Sequence, residues 1–295
     1  MAKVEKRLNS RVGSKFSTKR DYSVNKDIMD KNEGSWRNRV LIATPATGLV
    51  RMEWVNSRYG QIIPTNWSHV EMFQWMNNYV PMQYLLHDAE NLIAKQVVEG
   101  DFEWLLSIEQ DNVLPPDAFI RINEYMTKGD IPIVSGAYFT KSNPAEPIFY
   151  RGRGNGSFRD FKMGDKVWCD GVPFGFTLIH GNVIKALWEE SEEYEVNGQK
   201  TRRVFQLPDK NWGDPQEGGY GAVRGTTDLQ WCQRLMRDNI LEKAGFPKIQ
   251  KMKYPFLVDT NIFVQHIDNN GRTFPLGGIP KTYQRKKGER SKNIK

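Results

Sequence analysis

The sequence has few of the residues from which disulfide frameworks and zinc sites are built. It contains two cysteines, Cys169 and Cys232, among 295 residues. A lone pair matches neither a disulfide framework nor a zinc-ligand spacing, so a reducing compartment is the simpler interpretation. There is also no run of about 18 apolar residues, which predicts no membrane span. The polar N-terminus lacks the apolar core of a secretory signal. We therefore expect a soluble, cytoplasmic protein.

The composition nevertheless supplies enough apolar material for a packed core. Hydrophobic residues make up 39% of the chain and aromatic residues 12%, which excludes a wholly disordered protein. The length suits one large α/β domain or two small ones.

The net charge of +7 and the pI near 9.2 first suggest a nucleic-acid binder. The charge is unevenly placed, however. Residues 1–39 hold 11 basic and 5 acidic residues, and residues 272–295 hold 8 basic and 1 acidic residue, which leaves −6 on residues 40–271. Both ends are basic and the body is mildly acidic, so a DNA-binding face within the folded body is disfavoured.

Buried strands alternate with helices along the first half of the chain. The pattern predicts strands over 39–44, 80–86, 104–108 and 131–136, with helices over 49–60 or 66–78, 87–99 and 117–127. The second half is less regular, with predicted hairpins over 149–168, strands over 174–179, 256–259 and 262–264, and helices over 182–190 and 227–239. Such alternation predicts a largely parallel α/β sheet with helices on both faces. The stretch 191–225, rich in Gly and charge, is either a lid over a site or a solvated variable loop.

Polar residues follow two of the predicted strands where those strands end. Thr44 and Pro45 come after the first strand, and the Glu109-Gln110-Asp111 turn follows a later one. Sheets of this kind bind ligands beyond the carboxyl ends of their strands, so we expect one site built from both segments. Two carboxylates at such a turn suit Mg²⁺ or Mn²⁺ bridged to phosphate oxygens, although acidic turns after strands are common without a metal.

Four blocks in a fixed order extend this pattern along the chain. They are the first strand with Thr44-Pro45, the segment from Asn91 through Glu109-Gln110-Asp111 to Pro115-Pro116-Asp117, the strand Gly175-Phe176-Thr177-Leu178-Ile179, and Thr227-Asp228 through Arg234 with a later strand ending at His266. In this order and spacing the sequence resembles GT-A fold glycosyltransferases, in particular family-2-like enzymes common in bacteria and their phages. The resemblance runs from about residue 40 to residue 267 and implies a Rossmann-like, mostly parallel sheet with an irregular acceptor-side half.

The resemblance implies a divalent metal site. Asp111 would bind Mn²⁺ or Mg²⁺ bridging the donor diphosphate, and His266 would be a second ligand. Glu109 would contact the ribose, or the metal through water. A histidine after an apolar strand is otherwise most often a structural hydrogen-bonding residue. The remaining histidines have no comparable context: His69, His87 and His180.

The resemblance also implies a nucleoside pocket and a general base. Thr44, Pro45 and Asn91 would line the pocket. Asp228 would deprotonate an acceptor hydroxyl, and we expect its pKa to rise only if the residue is buried. The alternative is that Thr227 or Asp228 simply caps a helix, and the same Asp could do both.

The chain departs from the family pattern in two places. The first acid of the D-x-D motif is Glu109, which keeps a carboxylate on a longer side chain. Glu90 stands where family members often have Arg before the helix Asn. The second change removes a cation near the phosphates, so donor binding would depend on another basic residue.

The implied function is a metal-dependent glycosyltransferase that moves a sugar from a nucleoside-diphosphate sugar to an acceptor hydroxyl, with inversion. The acceptor class stays open between a glycan, a protein and a modified nucleic acid. A nucleotidyltransferase is disfavoured because segment 43–49 has one Gly and no Lys. The basic tails leave two further functions open: a nucleic-acid-binding protein that acts through these tails, and a glycosyltransferase with a nucleic-acid or other polyanionic acceptor.

The extent of the resemblance and the two basic ends together predict the domain organisation. We expect a basic flexible arm over 1–36, a catalytic domain over 37–270 and a basic tail over 271–295, which could meet an anionic partner. Within the domain, the donor-binding part covers about 37–140 and the acceptor-side part about 141–270.

Overall fold

The fold comes from a computed structural model that describes residues 39–64, 67, 76–151, 157–207, 211–212, 221–222, 226–278 and 292–293. The predicted arm over 1–36 lies outside these residues, as does most of the predicted tail. Within them, every helix is too short or too polar to cross a bilayer.

The strands in the described ranges are β1 (Val40–Ala43), β2 (Met76–Tyr79), β3 (Trp104–Ile108), β4 (Asn112–Val113), β5 (Ile133–Ala137), β6 (Ser142–Asn143), β7 (Lys166–Cys169), β8 (Phe176–His180), β9 (Glu193–Val196), β10 (Gln199–Arg202), β11 (Asn211–Trp212), β12 (Gly221–Ala222), β13 (Phe256–Phe263), β14 (Gln265–Ile267), β15 (Thr273–Phe274) and β16 (Lys292–Asn293).

The helices in the same ranges are α1 (Met52–Tyr59), α2 (Leu86–Glu99), α3 (Ala118–Lys128), α4 (Gly181–Glu189), α5 (Thr227–Arg237), α6 (Ile240–Lys243) and α7 (Pro247–Gln250).

A seven-stranded sheet in the order β2-β1-β3-β8-β5-β13-β7 forms the centre of the fold. Strands β2, β1, β3, β5 and β13 run in one direction, while β8 and β7 run antiparallel to their neighbours. β1, β3 and β5 are buried along their whole length, as strands covered on both faces are. The predicted mostly parallel, Rossmann-like sheet with helices is therefore confirmed.

Successive side chains of a strand serve the two faces of the sheet, which creates two hydrophobic cores. Leu41 and Ala43 belong to one core with residues of α2, α4 and α5. Val40 and Ile42 belong to the other, together with residues of α3. Helices therefore cover both faces, and the five like-directed strands end at one shared edge.

The strand predicted over 80–86 is wrong. The structure places β2 at Met76–Tyr79, and 80–85 is a connection that leads into α2. Pro81 lacks the N–H that a ladder requires, and Gln83 has a φ of +65°, outside the strand region. The helix predicted at 49–60 is confirmed as α1, while most of the alternative at 66–78 lies outside the described residues.

The start of the stretch 191–225 forms a hairpin that its composition does not indicate. β9 and β10 pair through an Asn197-Gly198 turn, and both turn residues have positive φ, of 47° and 79°. Asn-Gly is the preferred pair for such a hairpin turn. The predicted short strands over 256–259 and 262–264 are a single strand, β13, with a register shift between Asp259 and Phe263.

The fold continues past the predicted domain end at residue 270. β15 pairs antiparallel with β14, and its Phe274 is fully buried. Further on, β16 pairs with β6. Part of the predicted tail therefore belongs to the folded body.

Candidate active site

Two short strands bring Glu109, Asp111 and His266 together. One ligand atom from each residue lies within 4.8 Å of the other two. The acids follow β3, whereas His266 lies in β14, far along the chain. The link is the β4–β14 ladder, in which Asn112 is opposite His266 and the Ile267 N–H donates to the Asp111 carbonyl at 2.8 Å.

His266 is held in the state that a metal ligand needs. Its Nδ1 is hydrogen-bonded to the Phe139 carbonyl. A carbonyl only accepts, so Nδ1 carries the proton and Nε2 keeps its lone pair. Burial lowers the pKa of His266, opposed by the nearby Asp111 charge, and the Tyr138 ring meets the imidazole edge-on at 4.9 Å. The imidazole is thus neutral, buried and fixed in orientation.

The donor set of two carboxylates and one neutral imidazole fits Mn²⁺ or Mg²⁺. Oxygen ligands suit both ions, and an imidazole nitrogen favours Mn²⁺ over a site of oxygen alone. The residues that could hold such an ion are Asp111 and His266, with Glu109 beside them.

The turn that carries the two acids is fixed by hydrogen bonds on several sides. The Trp54 indole N–H donates to the Glu109 carbonyl at 2.8 Å, which ties α1 to the turn. The Glu109 N–H donates to the Gly175 carbonyl at 2.9 Å. The Thr47 N–H donates to the Gln110 side-chain oxygen at 2.8 Å. The loop after β1 and the turn after β3 therefore form one wall, as the sequence predicts.

Glu109 has an unusual charge environment. Burial, followed by the charges of Asp111 and Asp228, raises its pKa to about 8, although Lys141 and a hydrogen bond with Asn112 act in the opposite direction. Accumulated like charge of this kind is typical of sites that receive a cation.

Gly175 is closely packed between the Asn112 and Tyr138 side chains. Its N–H donates to the Tyr138 hydroxyl at 2.6 Å, and its carbonyl accepts from the Asn112 amide at 2.9 Å. A Cβ at this position would lie 2.3 Å from the Asn112 amide nitrogen and 2.4 Å from the Tyr138 hydroxyl. Only glycine lets the Asn112 and Tyr138 side chains approach this closely.

Asp228 lies in the first turn of α5, with Thr226 at the N-cap position. One of its carboxylate oxygens accepts from the Leu229 N–H at 2.8 Å and from the Thr226 hydroxyl. Burial raises the pKa of Asp228, and these two hydrogen bonds oppose the rise. Its charge in turn raises the pKa of Glu109 and of Tyr138, so the carboxylate lies near the metal-binding group.

Glu90 adds a fourth carboxyl group to the same region. It is 6% exposed, and its Oε1 is 3.4 Å from the Thr227 hydroxyl. No hydrogen-bond partner for its Oε2 is found among the residues that the structure describes. Burial, followed by the charges of Glu109 and Asp228, raises its pKa well above the ordinary value. The position at which the resemblance implies a cation therefore holds a buried carboxyl group whose raised pKa favours its neutral form.

The residues predicted for the nucleoside pocket lie in different surroundings. Thr44 and Pro45 are buried directly after β1, and the Thr44 N–H donates to the Tyr79 carbonyl at 3.0 Å. Asn91 is fully buried in α2, where its amide bonds the Tyr194 hydroxyl and both the N–H and the carbonyl of Phe205. These bonds fasten the segment after the β9–β10 hairpin. Lining of the nucleoside pocket by the three residues stays a prediction.

Lys141 is a site residue that the sequence did not single out. Its ammonium forms an ion pair with the Asp111 carboxylate. It follows β5, another strand that ends at the carboxyl edge, and that position is the signal by which it could have been found.

No model of a known protein family matches the chain, and no curated protein matches it in sequence. Among solved structures it is similar to A197 from STIV at 11% identity, with a TM-score of 0.46, covering 85% of this chain and 100% of that one. It is also similar to residues 1–349 of S. aureus TarS in complex with UDP, at 11% identity and a TM-score of 0.35, covering 66% of this chain and 54% of that one. A third similar structure is a putative glucose-1-phosphate thymidylyltransferase from Bacillus anthracis, at 12% identity and a TM-score of 0.31, covering 52% of this chain and 76% of that one.

Proposed function

We propose that the protein is a metal-dependent glycosyltransferase that moves a sugar from a nucleoside-diphosphate sugar to an acceptor hydroxyl. The observation that carries the proposal is the convergence of Glu109, Asp111 and His266 at the carboxyl edge of the sheet, with the charge of Asp228 nearby. An oxygen-rich cation site beside a half-buried carboxylate would supply the two functions that the reaction requires: stabilisation of a leaving diphosphate and removal of a proton.

Asp228 is the proposed general base. The acceptor hydroxyl attacks the anomeric carbon of the donor as its proton passes to the Asp228 carboxylate. The bond from the anomeric carbon to the diphosphate oxygen breaks, and its electron pair stays on that oxygen. Burial raises the pKa of Asp228, which strengthens it as a proton acceptor.

Asp111 and His266 would hold the Mn²⁺ or Mg²⁺ ion, with Glu109 contacting it directly, through water, or binding the ribose. The ion would neutralise charge on the leaving nucleoside diphosphate. The hydrogen bond between His266 and Phe139 fixes the imidazole for this role.

The nucleoside would lie against Thr44 and Pro45, with Asn91 holding the neighbouring segment in place. Direct displacement by the acceptor gives a product of inverted anomeric configuration. NMR of the product anomer tests inversion independently of the identity of the acceptor.

The proposal is tested by incubating the full chain with Mn²⁺ and a panel of nucleotide sugars and measuring release of nucleoside diphosphate. We expect release from at least one donor and its loss on chelation or in Asp111→Asn. Asp117→Asn is the matched control, because Asp117 pairs with Arg121 away from the site. The proposal is wrong if no donor is turned over and Asp111→Asn leaves nucleotide affinity unchanged.

A polyanionic acceptor is a narrower form of the same proposal, supported by the split between basic ends and an acidic body. A gel shift with DNA and with an anionic glycan, comparing the full chain with a variant in which Arg285, Lys286 and Lys287 are replaced by Gln, tests it. We expect weaker and less salt-dependent binding in the variant. Equal binding by both versions would contradict a role for these basic residues.

A further inference from the structure

The ion pair between Lys141 and Asp111 lies inside the candidate metal site. The two side chains are 34% and 35% exposed, so the pair is open to solvent. Asp111 is also one of the three residues whose ligand atoms converge. The same carboxylate therefore faces a cation of the protein and the position at which a metal ion would bind.

The backbone around Lys141 is anchored, so this contact is built into the fold. The preceding Thr140 exchanges hydrogen bonds with Glu146, through its N–H at 2.8 Å and its hydroxyl at 2.9 Å. The Thr140 and Ser142 hydroxyls are 2.6 Å apart. Two residues before Lys141, the Phe139 carbonyl accepts from His266. Lys141 is thus attached to the same framework as the proposed metal ligands.

Lys141 lies among acidic groups that would otherwise repel an anionic ligand. Four carboxyl groups surround this region, from Glu90, Glu109, Asp111 and Asp228. In the described part of the chain, Lys141 is the cationic side chain that acts on both Glu109 and His266. A nucleoside diphosphate carries several negative charges and would be repelled by those of these acids that are ionised, so a nearby cation favours its binding.

We propose that Lys141 binds the diphosphate of the donor, and that before the donor arrives its ammonium occupies the Asp111 carboxylate in place of a metal ion. This inference rests on the proposed function. Lys141 changes partner on donor binding, from Asp111 to a phosphate oxygen, which frees Asp111 for the metal. A flexible side chain whose ammonium has three N–H donors suits such an exchange.

The exchange predicts opposite effects on two ligands when Lys141 is replaced. Lys141→Met leaves Asp111 unoccupied and removes a repelling charge, so Mn²⁺ alone binds about threefold tighter. The same variant loses a charge-assisted contact to phosphate, so inorganic pyrophosphate with Mg²⁺ binds about tenfold weaker. A purely structural lysine would weaken both ligands or neither.

Two measurements on the full chain test this prediction: Mn²⁺ affinity by electron paramagnetic resonance and pyrophosphate affinity by calorimetry. Lys185→Met is the control, since it removes the same charge from a pair with Asp101 outside the site, and we expect wild-type values for it. Lys141→Gln checks that the result does not depend on methionine, and Lys141→Arg should restore part of the pyrophosphate affinity.

The outcomes separate this inference from the proposed function. Wild-type protein that binds neither Mn²⁺ nor pyrophosphate overturns both. Wild-type protein that binds both, with Lys141→Met and Lys141→Gln unchanged for each ligand, overturns the role of Lys141 and leaves the metal site in place. Opposite shifts for the two ligands support the exchange.

Discussion

Glu103 and Glu109 lie at opposite ends of β3. The charges nearest to Glu103 are positive, whereas most of those nearest to Glu109 are negative. Burial raises the pKa of both. At the amino end, Arg39, the Trp104 indole and Lys185 partly offset the rise in the pKa of Glu103. An ion pair also joins Glu103 to Arg39. At the carboxyl end, the charges of neighbouring acids add to the effect of burial on Glu109.

The two histidines near these ends show the same contrast. His180, at the amino edge, accepts the Asn182 N–H on its Nδ1 and begins α4. His266, at the carboxyl edge, uses its Nδ1 as a donor to a backbone carbonyl and lies beside carboxylates. Glu103 at the amino edge is offset by basic partners within the fold, whereas acidic groups accumulate at the carboxyl edge, where the proposed site lies. We call the first the structural edge and the second the functional edge.

Replacing Asp228 at the functional edge should have the largest effect. Asp228→Asn removes the proton acceptor but keeps the shape of the side chain, so turnover should fall about 1,000-fold. Nucleotide affinity should stay within about twofold, because the proposed role concerns the acceptor proton. Steady-state kinetics and calorimetry with the preferred donor measure the two quantities.

Asp238→Asn, at the far end of the same helix, is the matched control for this change, and we expect near-wild-type turnover. Asp238 pairs with Arg237 on the surface. If Asp228→Asn retained a tenth or more of the wild-type turnover, Asp228 would be a helix-terminus residue and not the base.

Breaking the pair at the structural edge should act on stability. Arg39→Met leaves the half-buried Glu103 without its ion-pair partner and removes a hydrogen bond to the Met126 carbonyl. The free energy of unfolding should fall by about 2 kcal/mol. Chemical denaturation of Arg39→Met, Glu103→Leu and the double variant measures it, and the double variant should lose less than the sum of the single ones. Strict additivity would contradict the pairing.

Protonation of His180 at low pH should reduce the free energy of unfolding by an amount similar to, or smaller than, the loss in Arg39→Met. Burial lowers the pKa of His180 to about 4, with Arg39 and Lys185 adding to the effect. The unfolded chain takes up this proton near pH 6.5 and the folded one only near pH 4, so the stability is present at neutral pH and is lost as pH falls between these values. His180→Asn removes the titration and keeps an acceptor for the Asn182 N–H. From pH 7 to 4.5 the wild type should lose about 2 kcal/mol more than the variant; parallel curves would contradict this.

The sequence predicted the structural framework better than the functional contacts. Continuous apolar runs reveal β1 and β3, and helical spacing reveals α2, because periodicity reports burial directly. The meeting of Asp111 with His266 depends on β4, a strand of two residues that carries no periodic signal. Lys141 was missed for a related reason. Its proposed role depends on its contact with Asp111, and a contact between residues far apart in the sequence leaves no local pattern. The resemblance to a family supplied His266 and Asp228, which residue spacing alone would not.

The smallest expected effect is a gain of stability, in contrast to the losses above, and it concerns Glu90 at the functional edge. Glu90 is buried, its pKa is raised well above the ordinary value, and its Oε2 is without a hydrogen bond among the described residues. A carboxyl with a raised pKa stabilises the fold least at high pH, because the folded state must either take up a proton or bury a charge. In metal-free protein at pH 8, Glu90→Gln should therefore raise the free energy of unfolding by about 1 kcal/mol, and this gain should shrink as pH falls towards 5. Glu99→Gln, on the exposed last turn of the same helix, should change it little. A loss of stability in Glu90→Gln would mean that the carboxylate is paired within the fold like Glu103, and the distinction between the two edges would not extend to Glu90.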